Sequence, residues 1–117
     1  MSGSRIAEPQ VQGAILRLLA GGQIWTNADI KHELGKTLPL SKADRATANF
    51  RPNEEKWYEL VNNALSPSRS SSLVAEGYVE TIKRGHHRLT DKGRTFLQNI
   101  EAMAVAWENA SAGGEAP

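Results

Sequence analysis

Lys83, Arg84, His86, His87 and Arg88 crowd around a single glycine, Gly85. Side chains of this kind, set at a turn, suit one chemistry above others: holding the phosphates of a nucleic-acid backbone or reaching an adjacent minor groove. Adjacent residues on a strand face opposite ways, so His86 and His87 make no chelating pair. By the same alternation His87 shares a face with Leu89, which marks it as a packed or capping histidine. A second candidate is the run Ser66-Pro-Ser-Arg-Ser-Ser-Ser72. Either one long helix kinks at Pro67 or, the preferred reading, Ser66 caps a new helix with Pro67 in its first position, whose free N–H groups suit a phosphate. If Leu73 faces inward, the helical step sets Ser68, Ser71 and Ser72 on the outer face and Arg69 at its edge. Short hydroxylated side chains there would permit close approach to a groove.

Catalysis finds less support. The chain has three histidines and no cysteine, and His32 stands far from His86 in sequence. No base stands at a useful spacing from the serine run, so no nucleophile is activated. Glu54, Glu55 and Glu59 read as the acidic bias of a helix start. We therefore expect no metal site, no cofactor and no cleavage of DNA by the chain alone.

Charge distribution says more than its sum. The formal net charge is only +1, yet Arg69, Lys83, Arg84, Arg88, Lys92 and Arg94 gather between Ser66 and Arg94, against Glu76, Glu80 and Asp91. Beyond Thr95 every charge is acidic: Glu101, Glu108 and Glu115. No apolar run approaches the roughly 18 residues that span a membrane, and the start lacks a signal-peptide pattern, so a cytoplasmic address is expected.

The elements that would position these residues can be read in order. Pro9 suits a helix start, followed by Val11, Ala14, Ile15, Leu18 and Leu19 at helical spacing up to Gly21-Gly22. Ile24-Trp25 is a short strand stub. Thr26 or Asn27 caps a second helix through Ile30 and Leu34 toward Leu38, where Pro39 stops it. Gly35 inside it costs about 1 kcal/mol relative to Ala and favours an earlier end. Ser41 opens a polar connection with a turn or two around Lys42 to Ala48. Asn53, Glu54 and Glu55 are expected to start a helix carrying Trp57, Leu60, Val61, Ala64 and Leu65. After the Pro67 helix, Gly77 is the stop, Tyr78–Lys83 and His87–Thr90 pair across the Arg84-Gly85 turn, and Thr90 caps a last helix with Asp91 in its first turn. That helix bears Phe96, Leu97, Ile100, Met103, Ala104 and Trp107 on one stripe.

A helix, a two-stranded ribbon and a capped helix in that order describe a winged helix-turn-helix. The fold class is α+β, mostly helical, with a small antiparallel β wing and an extended C-terminal helix. One domain is expected over residues 9–108, after a flexible start at 1–8 and before a disordered tail at 109–117. Double-stranded DNA is the expected partner, with Ser68, Arg69, Ser71, Ser72, Lys83, Arg84, His86 and Arg88 as its contacts.

Leu38-Pro-Leu-Ser41, the Trp57 helix, Ser72-Leu-Val-Ala-Glu-Gly77-Tyr-Val-Glu and Arg84-Gly-His-His-Arg-Leu-Thr-Asp-Lys-Gly93 together resemble the N-terminal winged-helix domain of Mrr-type restriction proteins over residues 9–98. The sharpest part is the Arg84-Gly85 turn with Leu89-Thr90 and Gly93. This chain departs from that family at His87, where an aromatic is usual, and around Pro67, where it adds about a turn and a half. The resemblance implies the DNA-targeting part of a larger defence nuclease, of a kind that can read modified bases. A homodimer, or docking on the nuclease domain through the last helix, is the further partner expected. The rival readings are a regulator that dimerises through Ile100, Met103 and Trp107, and a winged helix that binds only protein.

Overall fold

The computed structural model describes the backbone of residues 6–48 and 51–114, and side chains at 6–47 and 54–102. Helix α1 (Glu8–Leu18) begins with Pro9 in its first turn, and Gln10 Oε1 accepts the Ala7 N–H at 2.9 Å. A 3₁₀ turn follows, closed by Gly22 in the left-handed region. The stub strand β1 (Trp25–Thr26) leads into α2 (Asn27–Thr37), whose cap is Thr26: its Oγ1 accepts the Asp29 N–H at 3.1 Å. Helix α2 runs through Gly35 because Trp57 lies against that position; a Cβ there would meet the indole at 3.5 Å.

One-turn helix α3 (Lys42–Arg45) follows, then strands β2 (Thr47–Ala48) and β3 (Arg51–Glu55), paired antiparallel. The helix expected to start at Asn53 therefore starts later, as α4 (Tyr58–Ala64). Tertiary pairing overrides the acidic helix-start signal: Lys56 N–H donates to Ala46 O at 2.8 Å and Trp57 N–H to Asp44 O at 3.1 Å. The chain is also anchored earlier than Pro9. Ile6 is buried, and its N–H donates to both carboxylate oxygens of the fully buried Asp44, at 2.9 and 3.2 Å.

Strands β4 (Val79–Lys83) and β5 (His86–Leu89) form the wing, and β1 joins it in the order β1-β5-β4. Trp25 faces His87 and Thr26 faces His86, while Thr81 faces His87 across the ribbon and the register shifts at Ile82. Helix α5 (Asp91–Gly114) is capped by Thr90, whose Oγ1 accepts the Gly93 N–H at 3.0 Å. Its backbone is helical as far as Gly114. Met103, Ala104 and Trp107 of its expected stripe lie outside the described side chains.

Helices α1, α2, α4 and the start of α5 enclose the core, in which Val11, Ile15, Ile30, Trp57, Val61 and Val79 are almost wholly buried. Leu16, overlooked by the spacing argument, is buried with them. The wing closes one edge through Val79 and Leu89, which face each other. This is a winged-helix-like α+β fold, mostly helical, with a small three-stranded antiparallel sheet.

Candidate nucleic-acid interface

Gly85 adopts a positive φ of 77°, and its carbonyl accepts the Asn27 N–H at 3.0 Å, which ties the wing tip to the start of α2. Lys83 and Arg84 are exposed there, and neither has an acidic partner among the described residues. His86 is half-buried, its Nδ1 3.0 Å from Arg84 O. Arg88 is engaged otherwise. Its Nε donates to Glu80 at 2.9 Å, and it lines a separate polar groove with Lys92 and Arg94. Those two are also occupied: Lys92 Nζ donates to Glu76 O at 2.8 Å and Arg94 pairs with Asp91. The basic cluster of the sequence thus reduces to two uncommitted cations at the tip.

The Pro67 segment differs from expectation. Neither a new helix nor a kinked continuation of α4 forms; residues 66–71 make successive turns instead. Leu73 N–H donates back to Ala64 O at 2.8 Å, the carbonyl that a continuing α-helix would have offered to the Ser68 N–H. Four serines in this stretch favour side-chain bonds over helix. Ser66 and Ser68 share a hydroxyl hydrogen bond at 2.9 Å. Ser72 corrects the expected outer face: it is fully buried, and its Oγ accepts the Ala75 N–H at 2.9 Å, capping a single turn. That turn ends in a Schellman closure, with Gly77 N–H to Val74 O at 3.0 Å and Tyr78 N–H to Leu73 O at 2.9 Å. Gly77 takes the left-handed conformation expected of it, at φ 83°.

Ser68, Arg69 and Ser71 remain exposed. Arg69 reaches to Glu8 on α1, with Nη2 3.7 Å from a carboxylate oxygen that has no hydrogen bond. Gln12 Nε2 donates to Ser71 O at 3.2 Å. Both contacts bind the turn segment to α1.

Between the turn segment and the wing lies a cleft of about 700 Å³. Leu65, Pro67 and Val74 line one side, and Thr81, Arg84 and His87 the other. His87 is buried and fully engaged: Nε2 is 2.6 Å from Asn27 Oδ1 and Nδ1 is 3.1 Å from Thr81 Oγ1. One neutral tautomer satisfies both, with Nε2–H donating to Asn27 and the Thr81 hydroxyl donating to Nδ1. Burial lowers its pKa below the ordinary 6.5, and the neighbouring His86 lowers it further. Its role is to join α2 to the wing, in line with the reading of His87 as a packed residue.

The folded state favours neutral His87, whereas the unfolded chain takes up a proton near the ordinary value, so stability is full above about pH 6.5 and falls with pH below it. Melting temperatures between about pH 7.5 and about pH 5 should fall less steeply in His87→Gln than in the wild type. Equal slopes would show that His87 does not carry the effect.

The position of Gly93 in α5 also becomes clear. A Cβ there would stand 2.0 Å from Tyr78 O, so only glycine lets α5 cross the start of the wing. Beside it, the Tyr78 and Phe96 rings stack at 4.2 Å with Lys92 Nζ 5.2 Å from the Tyr78 ring.

The wing, its glycine turn and the helix crossing it define a winged-helix-like module. The family model for the Mrr N-terminal domain matches residues 10–99, and the chain belongs to that family. No curated protein and no solved structure matches it. Among the described residues no group of three or more His, Asp or Glu side chains is placed to hold a metal ion. None of the helices described is long and apolar enough to cross a membrane.

Proposed function

We propose that the chain is a duplex-DNA-binding, targeting module of a restriction system, without a catalytic site of its own. The observation that carries this is the wing tip: Lys83 and Arg84 stand exposed and unpaired while their basic neighbours Arg88, Lys92 and Arg94 are engaged within the fold. Cations left uncommitted on a protruding ribbon suit a phosphate backbone. Membership of the Mrr N-terminal domain family supports the link to restriction. His86 and Arg88 serve this reading as supports of the tip and its ribbon. Ser68, Arg69 and Ser71 are the groups proposed to touch DNA from the turn segment, and Ser72 acts beneath them as a cap. The partner contact, to a second copy or to a nuclease domain, is proposed to lie along α5 at Ile100, Met103 and Trp107.

Affinities for a panel of plain and base-modified duplexes across a salt series test the division of labour. Arg84→Ala should weaken every duplex alike and flatten the salt dependence by about one phosphate contact. Ser71→Ala and Arg69→Ala should instead change the ranking, with losses of about 1–3 kcal/mol on the preferred duplex. If Arg84→Ala re-ranks the panel and the other two leave it intact, the wing is the reader.

A further inference from the structure

The segment that would offer a reading helix to the major groove is here a chain of turns, and behind it is a hollow. We propose that this cleft, between the Pro67 turns and the wing, receives a nucleobase rotated out of the duplex; the inference rests on the DNA-binding reading above.

Three features carry it. The volume, about 700 Å³, lies in the range of small-molecule sites and exceeds what one base needs, leaving room for its sugar. The walls suit a planar heterocycle: Leu65, Pro67, Val74 and Val79 supply apolar surface for its faces. Polar side chains line the same space, and two of them are already engaged: Glu80 by Arg88, and His87 by Asn27 and Thr81. Asn62 lines the cleft, and its amide enters no hydrogen bond among the described residues. Asn27 has its oxygen fixed by His87, so its Nδ2 lies near Gly85 at the cleft with both hydrogens available. An amide can pair with the edge of a base through two hydrogen bonds, the form of contact that discriminates among bases.

Of the two charged residues on the lining, Glu80 is paired with Arg88 and Arg84 has no acidic partner among the described residues. Arg84 lines the cleft from the wing tip, where it can hold a phosphate of the rotated nucleotide. Ser66 and Pro67 lie at the opposite wall, next to exposed Ser68. A duplex held by the tip and by the turn segment would pass over this opening. Rotating a base out costs a few kcal/mol and costs least at a mismatch, where pairing is already weak.

The probe is 2-aminopurine, whose fluorescence is quenched by stacking, placed once at the centre of a short duplex. One duplex sets it opposite thymine and the other opposite cytosine. Titration with the full chain at low salt should give a several-fold rise at saturation, larger on the mismatched duplex. Val74→Phe, which fills the cleft away from the tip, should still bind by anisotropy and should lose the rise. Asn62→Ala, on the cleft wall, should reduce it several-fold and provides the test if Val74→Phe does not fold. Binding by anisotropy with unchanged fluorescence on both duplexes would overturn the inference and leave the DNA-binding reading standing. A rise that persists undiminished in a folded variant would overturn it also, by placing the unstacked base elsewhere. No anisotropy change at low salt would overturn the DNA-binding reading and this inference with it.

Discussion

Gly93→Ala should destabilise the domain by about 3 kcal/mol or more, the upper end of what forced overpacking costs. The added Cβ would lie 2.0 Å from Tyr78 O, 2.7 Å from Leu89 Cδ1 and 2.9 Å from Tyr78 C. Two of these atoms are backbone. Their position is set by the Thr90 N–H, which donates to Tyr78 O at 3.0 Å, and by the Gly77 closure just before it. Helix α5 would have to lift from the wing, separating Leu89 and Leu97 from the core. Alanine's better helix propensity returns about 1 kcal/mol, too little to change the sign. Gly13→Ala is the control, because a Cβ there meets nothing within 4 Å. Thermal melts should show Gly93→Ala falling by more than about 10 °C, with Gly13→Ala unchanged or higher. Equal melting temperatures for Gly93→Ala and the wild type would mean that α5 does not cross the wing as described.

Trp57→Ala is expected to cost about 3–5 kcal/mol, a large share of the roughly 5–15 kcal/mol that holds a small domain together. The indole is 1% exposed and lies between α2 and α4, against Gly35 on one side and edge-on to Tyr58, 4.9 Å away, on the other. Its Nε1–H donates to Glu55 Oε1 at 2.8 Å, and the same carboxylate oxygen receives Arg45 Nη1 at 3.3 Å. Truncation would empty the space between two helices and remove a bond that fixes β3. Trp57→Phe keeps most of the ring and loses the N–H, so it should cost clearly less. Urea denaturation of the two variants measures the difference. A loss for Trp57→Ala below about 1 kcal/mol would show that the site collapses around the missing ring.

These two residues also show what local sequence can reveal. The wing was legible because its signals are short-range: Gly77 and Gly85 supply the left-handed positions, Thr90 supplies a cap, and alternation turns His87 inward with Leu89. Gly93 was recognisable as part of the motif, although its cause, a carbonyl fifteen residues earlier, required the fold. Strand β3 was hidden. Arg51-Pro-Asn-Glu-Glu55 has neither alternation nor β-branched residues, and it is extended because Thr47 and Ala48 pair with it.

The proposed interface was legible in part. Counting cations marked the Arg84-Gly85 turn, but the sequence did not reveal which had acidic partners, and Glu8, Glu80 and Asp91 take three of them. Ser72 was misplaced because a helical step was applied to a stretch that is not helical. The sequence signal for Asp44 was present, since Ser41-x-x-Asp44 is a capping box, with Ser41 Oγ accepting the Asp44 N–H at 3.1 Å. Its bond to Ile6, across 38 residues, was beyond any local rule. The cleft could not be read at all, because α2, α4, the serine turns and both strands of the wing each supply a wall.

The central claim, that the wing tip binds the backbone of duplex DNA, is tested most directly by measuring affinity for one plain duplex over a range of salt concentrations. The expected result is measurable binding at low salt that weakens linearly on a logarithmic plot, with a slope near −2 if Lys83 and Arg84 each displace about one counterion, and steeper if Arg69 joins them. The Lys83→Ala/Arg84→Ala double variant should remove most of that slope. Binding that ignores salt, or that the double variant leaves unchanged, would contradict the account.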